Sequence, residues 1–349
     1  MISFRFRSKP TQPLTAAGLL LVAFFLYGQA PGERPPAPPG SRSVVDAHNC
    51  YPYNGKWGDR IDRALKTGVP VAIEQDLLWY TDPRTGVARS LLSHGAPADG
   101  TEPGMREYFF EKIRPIMEEA LDRGNQGDWP LITLNLDFKS DEAEHHAAVW
   151  KLLSQYAGWL CTAQRSADPG EVTPMHAGPL LVLTGEADSQ QRDFYDILPV
   201  GAKLLVFGAV HRIGHDADVP PRNMIATPAT NYRRWWNNPW NVVERGGQRN
   251  ARDWTERDRK RLAALVGFAH KSGLWIRFYT LNGCTPAEDA ENGWEPEYNF
   301  GTPDRVMERW MAELEARVDY IATDEYEELA KAKARFLFKP SLLSRPGPE

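Results

Sequence analysis

Two acids, Glu74 and Asp76, sit two residues apart inside the otherwise apolar run 71–78 (VAIEQDLL). Alternate residues of a strand point to one face, so both carboxylates share a side, and burying them together requires a cation. A hard divalent ion with oxygen ligands meets that need. Asn49 and Asp137, each at the end of another apolar run, complete an oxygen-donor set, and magnesium and calcium both suit it. His48 stands at the end of the run 43–49, and His94 ends a short run after the acids (LLSHG, residues 91–95). Two imidazoles beside one cation can divide proton transfer, one accepting and the other donating, near their intrinsic pKa. Taken singly, these residues have plainer readings. Glu74 and Asp76 could be solvated strand-end charges or partners of Arg60 or Arg84, and His48 a hydrogen-bonded core histidine. The combination is what favours chemistry.

Those residues need elements that bring them together. From residue 41 the chain alternates short apolar runs with helical stretches, the rhythm of parallel strands joined by crossover helices. Strands are expected at residues 43–49, 71–78, 131–139, 180–184, 203–207, 224–227, 274–282 and 318–324. Helices are expected at 59–67, at 115–123 with Gly124 as its stop, from Asp141 with Glu144 at capping-box spacing, at 255–272, and from Thr302-Pro303. Eight strands match a single closed (β/α)8 TIM barrel spanning residues 41–330, with 331–349 as a tail. There is no glycine-rich dinucleotide fingerprint and no P-loop, so an open doubly wound sheet lacks its usual motifs. A barrel carries its reactive groups at the carboxyl ends of its strands, where His48, Asn49, Glu74, Asp76 and Asp137 fall. Residues 285–301, with Pro286, Gly293, Pro296 and Gly301, read as a loop inserted on that same face.

Composition narrows the partners. The 349 residues are 42% hydrophobic and 25% charged, as in globular proteins, and a net charge of −5 gives no field to hold nucleic acid. Three cysteines permit at most one disulfide, and Cys50, next to the candidate site, is either a thiol or paired with Cys161 or Cys284. Arg5, Arg7 and Lys9 precede the apolar stretch 14–28, the charge order of an export signal or single membrane anchor within residues 1–30. Residues 31–40 form a proline-rich spacer. A periplasmic, extracellular or membrane-anchored location is therefore expected, with membrane association through this segment. The cluster 231–240 is aromatic and basic; Arg234 and Trp235 in it either bind substrate by pairing and stacking or pack a loop on the barrel rim. Trp294 and Tyr298 invite the same two readings. His211 and His215 are four apart, but Gly214 and Pro220-Pro221 argue against a metal-binding helix, and His145 and His146 at a helix start are expected to face solvent.

The ordered set His48, Glu74-Gln75-Asp76 and His94 resembles the PLC-like phosphodiesterase superfamily of barrels. That group includes glycerophosphodiesterases, phosphoinositide-specific phospholipases C and sphingomyelinases D. The His48-Asn49 pair is similar to the metal-binding HN pair of phospholipases C, and Asp137-Phe138-Lys139 to the sphingomyelinase D pattern. Ala322-Thr323-Asp324 and the residues from Tyr279 to Asn282 are similar to glycerophosphodiesterase strand ends. The nearest likeness is to a branch that includes fungal mitochondrial-inheritance proteins. Cys50 replaces that branch's aspartate, and the glycerophosphodiesterase HR pair is absent. The resemblance implies a metal-dependent phosphoric diester hydrolase holding one divalent cation, Mg2+ or Ca2+, on Glu74, Asp76, Asp137 and Asn49. It further implies that His48 and His94 share acid and base roles, and that Lys139 faces the phosphate of a small-molecule or lipid phosphodiester. A cyclic phosphate product is expected where the substrate has a neighbouring hydroxyl.

Two other classes compete. A glycoside-acting barrel would need carboxylates facing each other across a bond at about 5–9 Å, whereas an E-x-D places both on one strand. A barrel that binds without turnover is the third reading, and the acids and histidines count against it.

Overall fold

Apolar runs too short for helices pair side by side in chain order. They form β1 (Val44–Ala47), β2 (Val71–Thr81), β3 (Ile132–Phe138), β4 (Leu180–Thr184), β5 (Phe207–Ala209), β6 (Arg233–Pro239), β7 (Trp275–Tyr279) and β8 (Tyr320–Thr323). All pairings between these neighbours are parallel, and β1 pairs with both β2 and β8, closing an eight-stranded barrel. The computed structural model describes residues 37–338 apart from Asn54 and Ala96. The expected export segment, residues 31–36 of the spacer and most of the tail lie outside the described residues. No helix among the described residues is long and apolar enough to cross a membrane.

Helices fill most crossovers: α1 (Arg60–Lys66), α2 (Glu111–Arg123), α3 (Ala143–Gln155), α4 (Asp188–Gln191), α5 (Glu256–Lys271), α6 (Pro286–Asn292), α7 (Pro303–Ala316) and α8 (Tyr326–Leu337). The segment after β5 has only a 3-10 turn, Pro221–Asn223. Thr255 caps α5 with a reciprocal Asp258 bond, and Thr285 does the same for α6 with Glu288.

Register decides which side chains meet. Across β2 and β3, Glu74 lies beside Asn135 and Asp76 beside Asp137, so these four share the interior face. The same alternation turns Asp46 and then His48 inward from β1, and Arg277 from β7. Trp235 and Trp275, register partners on β6 and β7, are buried near the amino ends of their strands together with Leu181 and Tyr320. An apolar plug thus closes one end of the barrel and pushes the polar residues towards the other. Beyond the barrel β2 continues as a hairpin with Ala88–Leu92, pairing Leu77 with Leu92 and Thr81 with Ala88. The return strand delivers His94 to the mouth, fixed by a 3.1 Å bond from the Ser93 amide to the Asp76 carbonyl.

Several expectations need correction. The sixth strand is not at 224–227 but is Arg233–Pro239, within the cluster read as a loop. Its arginines are tolerated because Arg233 donates to the Glu186 and Ala209 carbonyls and Arg234 to those of Asn231 and Thr173. The fifth expected strand divides: Lys203–Leu204 joins a small antiparallel sheet with Thr162–Gln164, and Phe207–Ala209 enters the barrel. α2 starts at Glu111 and contains Pro115, and α3 starts at Ala143 without a side-chain cap. His145 and His146 are fully buried rather than solvated, because Ser90 and Ser140 bond the first and Asp141 and Asp193 flank the second. The inserted segment carries α6 and is not wholly irregular. All three cysteines are free and buried, so the disulfide alternatives fall away.

Candidate active site

The site is built around a buried arginine. Arg277 of β7 donates Nε to Asp46, Nη2 to Glu74 Oε1 at 3.1 Å and Nη1 to Asn237 Oδ1 at 3.2 Å. Asn135 Nδ2 reaches the same Glu74 oxygen at 3.2 Å. Glu74 Oε1 is thereby held by two donors, and Oε2 is left facing the Asn49 amide at 3.2 Å and His48 Nε2 at 3.5 Å. Burial pushes the Asp46 carboxyl up against the pull of Arg277. Burial likewise opposes the charge on Arg277, but Asp46 and Glu74 outweigh it and raise its pKa.

His48 is oriented from behind. Its Nδ1 lies 3.2 Å from Asp324 Oδ2, and Asp324 also accepts from Arg60 Nη2 at 2.8 Å and Asn282 Nδ2 at 2.7 Å. Burial would raise the Asp324 carboxyl, but His48, Arg60 and Asn282 hold it at about 2. Burial, the largest influence on His48, lowers its pKa; Glu74 and Asp324 together outweigh it, and the net shift is upward. Tyr298, from the inserted segment, meets the His48 ring edge-on at 5.7 Å.

The second imidazole engages another acid of the group. His94, whose side chain is 61% exposed, places Nδ1 2.8 Å from Asp76 Oδ2. The Tyr51 hydroxyl is 2.7 Å from that oxygen and 2.9 Å from Asn49 Oδ1. Lys139 Nζ lies 3.2 Å from Asp76 Oδ2 and 2.8 Å from Asp137 Oδ2. Burial would raise the Asp76 carboxyl, yet the His94 hydrogen bond and Lys139 hold it below its ordinary value. Desolvation in the crowded mouth, then the Asp76 charge, push Asp137 up to about 6 against Lys139. Its side chain is 46% exposed, so water moderates that push.

These residues fit a divalent cation. Glu74, Asp76 and Asp137 each offer an oxygen within 4.8 Å of the others. Asp76 Oδ1 is buried without a hydrogen-bond partner, an arrangement that costs free energy unless something else satisfies it. Five acids (Asp46, Glu74, Asp76, Asp137, Asp324) crowd against three permanent cations (Arg60, Arg277, Lys139) and two imidazoles, so carboxylates outnumber the permanent cations. All the donors are hard oxygens, as magnesium or calcium prefers.

The expected residues divide cleanly. His48, Asn49, Glu74, Asp76, His94, Asp137 and Lys139 converge. Asn49 enters with its backbone at φ 48, its amide on Glu74 and its side-chain oxygen on Tyr51. Arg234 and Trp235 do not join them: Arg234 is bonded to backbone carbonyls, and Trp235 is buried with Nε1 on the Thr184 carbonyl. Arg60, weighed in the sequence as a partner of Glu74 or Asp76, pairs with Asp324 instead, and Asp46, Tyr51, Asn135 and Arg277 carried no expectation of belonging to the site. Strand alternation carried a signal for Asp46 and Arg277, since each is a charged residue on the inward face of an apolar run. A cleft of about 380 Å³ opens beside the site, lined by Asn49, Tyr51, Tyr53, His94, Glu102 and Glu295 among others. A larger depression of about 760 Å³, between residues 243–253 and the start of α5, contains none of these side chains, so size does not mark the site.

No protein-family model and no curated protein matches the chain. Among solved structures it is similar to a glycerophosphoryl diester phosphodiesterase from Parabacteroides distasonis, at 12% identity over 84% of this chain and 86% of that one, TM-score 0.40. It is also similar to a calcium-dependent phosphoinositol-specific phospholipase C from a Pseudomonas species, at 16% identity over 84% and 92%, TM-score 0.45. A glycerophosphodiester phosphodiesterase from Agrobacterium tumefaciens matches at 14% identity over 84% and 99%, TM-score 0.38. Likeness at this level carries no weight beside the side-chain geometry.

Proposed function

We propose that this barrel is a divalent-cation-dependent phosphoric diester hydrolase acting on a small-molecule or lipid phosphodiester. One observation carries the reading: two imidazoles engage different members of the same carboxylate trio, His48 towards Glu74 and His94 towards Asp76. Glu74, Asp76 and Asp137 would hold the cation, which when bound neutralises charge on a non-bridging phosphoryl oxygen. With Nδ1 tied to Asp324, His48 keeps Nε2 for the proton of an attacking water or hydroxyl, or for the leaving oxygen. His94, tied through Nδ1 to Asp76 and lining the cleft, keeps its other nitrogen for the complementary transfer. Lys139 adds positive charge where the phosphate gains negative charge. No observation favours glycoside chemistry, since Glu74 and Asp76 share a strand and Glu74 is tied to Arg277 and Asn135. Export or anchoring by residues 1–30 is proposed with this reading, on the sequence pattern alone.

The test pairs His48→Ala and His94→Ala with two diesters, one bearing an aryl leaving group and one an alkyl leaving group. Loss of the general acid is largely masked by the aryl group, which departs without a proton, whereas loss of the base is not. Each variant should lose the alkyl reaction by at least about 100-fold, and only one should recover on the aryl diester. Wild-type rates in both variants would refute the assignment. With a third diester that carries a hydroxyl neighbouring the phosphate, phosphorus NMR of the products distinguishes a cyclic phosphate from direct hydrolysis.

A further inference from the structure

The hairpin that carries His94 leaves the barrel after Leu77, beyond the parallel ladder that fixes β2. A two-stranded extension is marginal by itself, so something must hold it against the end of β3, where Asp137 and Lys139 stand. His145, at the first turn of α3, occupies that junction. Its Nε2 lies 2.8 Å from Ser90 Oγ on the return strand, and its Nδ1 lies 3.2 Å from Ser140 Oγ, the residue after Lys139. Ser140 Oγ in turn accepts the Trp79 amide of the outgoing strand at 2.8 Å. Trp79 stacks on the imidazole at 5.4 Å, and Phe138 meets it edge-on at 4.9 Å. Burial holds the His145 pKa down at about 4, so at neutral pH the ring is uncharged, with one nitrogen to donate and one to accept.

We propose that His145 is a positioning residue: by bridging Ser90 and Ser140 it keeps the His94 arm aligned with the Asp137–Lys139 end of β3. The buried ring meets the Ser90 hydroxyl on one segment and the Ser140 hydroxyl and carbonyl, the latter at 3.3 Å, on the other, so its two nitrogens tie two segments of one site together. The proposal rests on the diesterase reading for its effect on rate, but not for its effect on the hairpin.

Three full-chain variants test it: His145→Gln, which can still donate and accept; His145→Phe, which fills the space without hydrogen bonds; and Ser90→Ala, which removes one hydroxyl and spares the helix. Hydrogen exchange at the amides of residues 88–93 and turnover of an aryl diester are measured alongside melting. Phe should raise hairpin exchange and lower kcat about 10-fold or more, with KM within about 2-fold. Gln should retain more activity than Phe, and Ser90→Ala should shift both readouts in the same direction as Phe. Equal behaviour of Gln and Phe, or unchanged hairpin exchange in Phe and Ser90→Ala, would overturn the proposal. If the wild type lacked diesterase activity, the function reading would fall, and the exchange measurements would still decide the bridge.

Discussion

Replacing Arg277 by methionine should be among the most damaging single changes, and its cost can be worked from the geometry. The guanidinium is fully buried, 3.1 Å from Glu74 and bonded to Asp46. At 3.1 Å and an effective dielectric near 20, one such contact is worth roughly 5 kcal/mol, much of it offset by desolvation. Removing the guanidinium leaves two adjacent buried carboxylates without the cation they share, and the net loss expected for such a break is about 3–5 kcal/mol. That is a large share of a domain stability of about 5–15 kcal/mol. Urea unfolding at pH 7.5, followed by tryptophan fluorescence, measures it. The sign of the pH dependence follows. Burial already raises the Asp46 carboxyl against the pull of Arg277; without the guanidinium that pull is gone, so the folded state binds more protons than the unfolded one and the deficit shrinks as pH falls. Adding Asp46→Asn removes one of the two orphaned charges, so the double variant should lose less than the sum of the singles. A cost below about 1 kcal/mol, or strict additivity in the double variant, would refute the claim that Arg277 neutralises this pair.

Other outcomes follow from the same contacts. Glu313 of α7 is fully buried with neither carboxylate oxygen hydrogen-bonded, and burial pushes its carboxyl well above 4.5. Its stabilising contribution is present below the unfolded pKa and is lost as pH rises. Glu313→Met should therefore raise stability at pH 8 by about 1–3 kcal/mol and flatten the pH dependence, measured by the same unfolding assay; a loss of stability would contradict this. Asp324→Asn removes the charge behind His48 and should lower kcat roughly 100-fold. Calorimetric affinity for a divalent cation should stay within about 3-fold, because Asp324 lies outside the Glu74–Asp76–Asp137 trio; a rate near wild type would show that His48 needs no such partner.

The parts of the fold legible in the sequence are those set by local pattern. Residues 71–78 and 180–184 are apolar enough to announce strands, and the two-residue spacing of Glu74 and Asp76 already places them on one face. β6 was hidden because Arg233-Arg234-Trp235-Trp236-Asn237-Asn238 looks like a loop until distant carbonyls satisfy its arginines. Trp235 looked like a ligand platform and is part of the barrel plug. Arg277 and Asp46 are 231 positions apart in the chain, and only closure of the barrel through β8 and β1 makes them neighbours. Burial of His146 likewise depends on Asp193, which belongs to another crossover. What escaped the sequence reading is long-range pairing of charges, which composition and periodicity do not encode.

The measurement that bears most directly on the account is hydrolysis of an aryl phosphodiester by the full chain. It is made as purified, after exhaustive chelation, and during back-titration with magnesium and, separately, calcium. The account predicts that turnover disappears with the metal, returns with at least one of the two ions, and does not return in Asp76→Asn. Full turnover in the stripped protein, or cation-dependent cleavage of glycosides with phosphodiesters left intact, would contradict it.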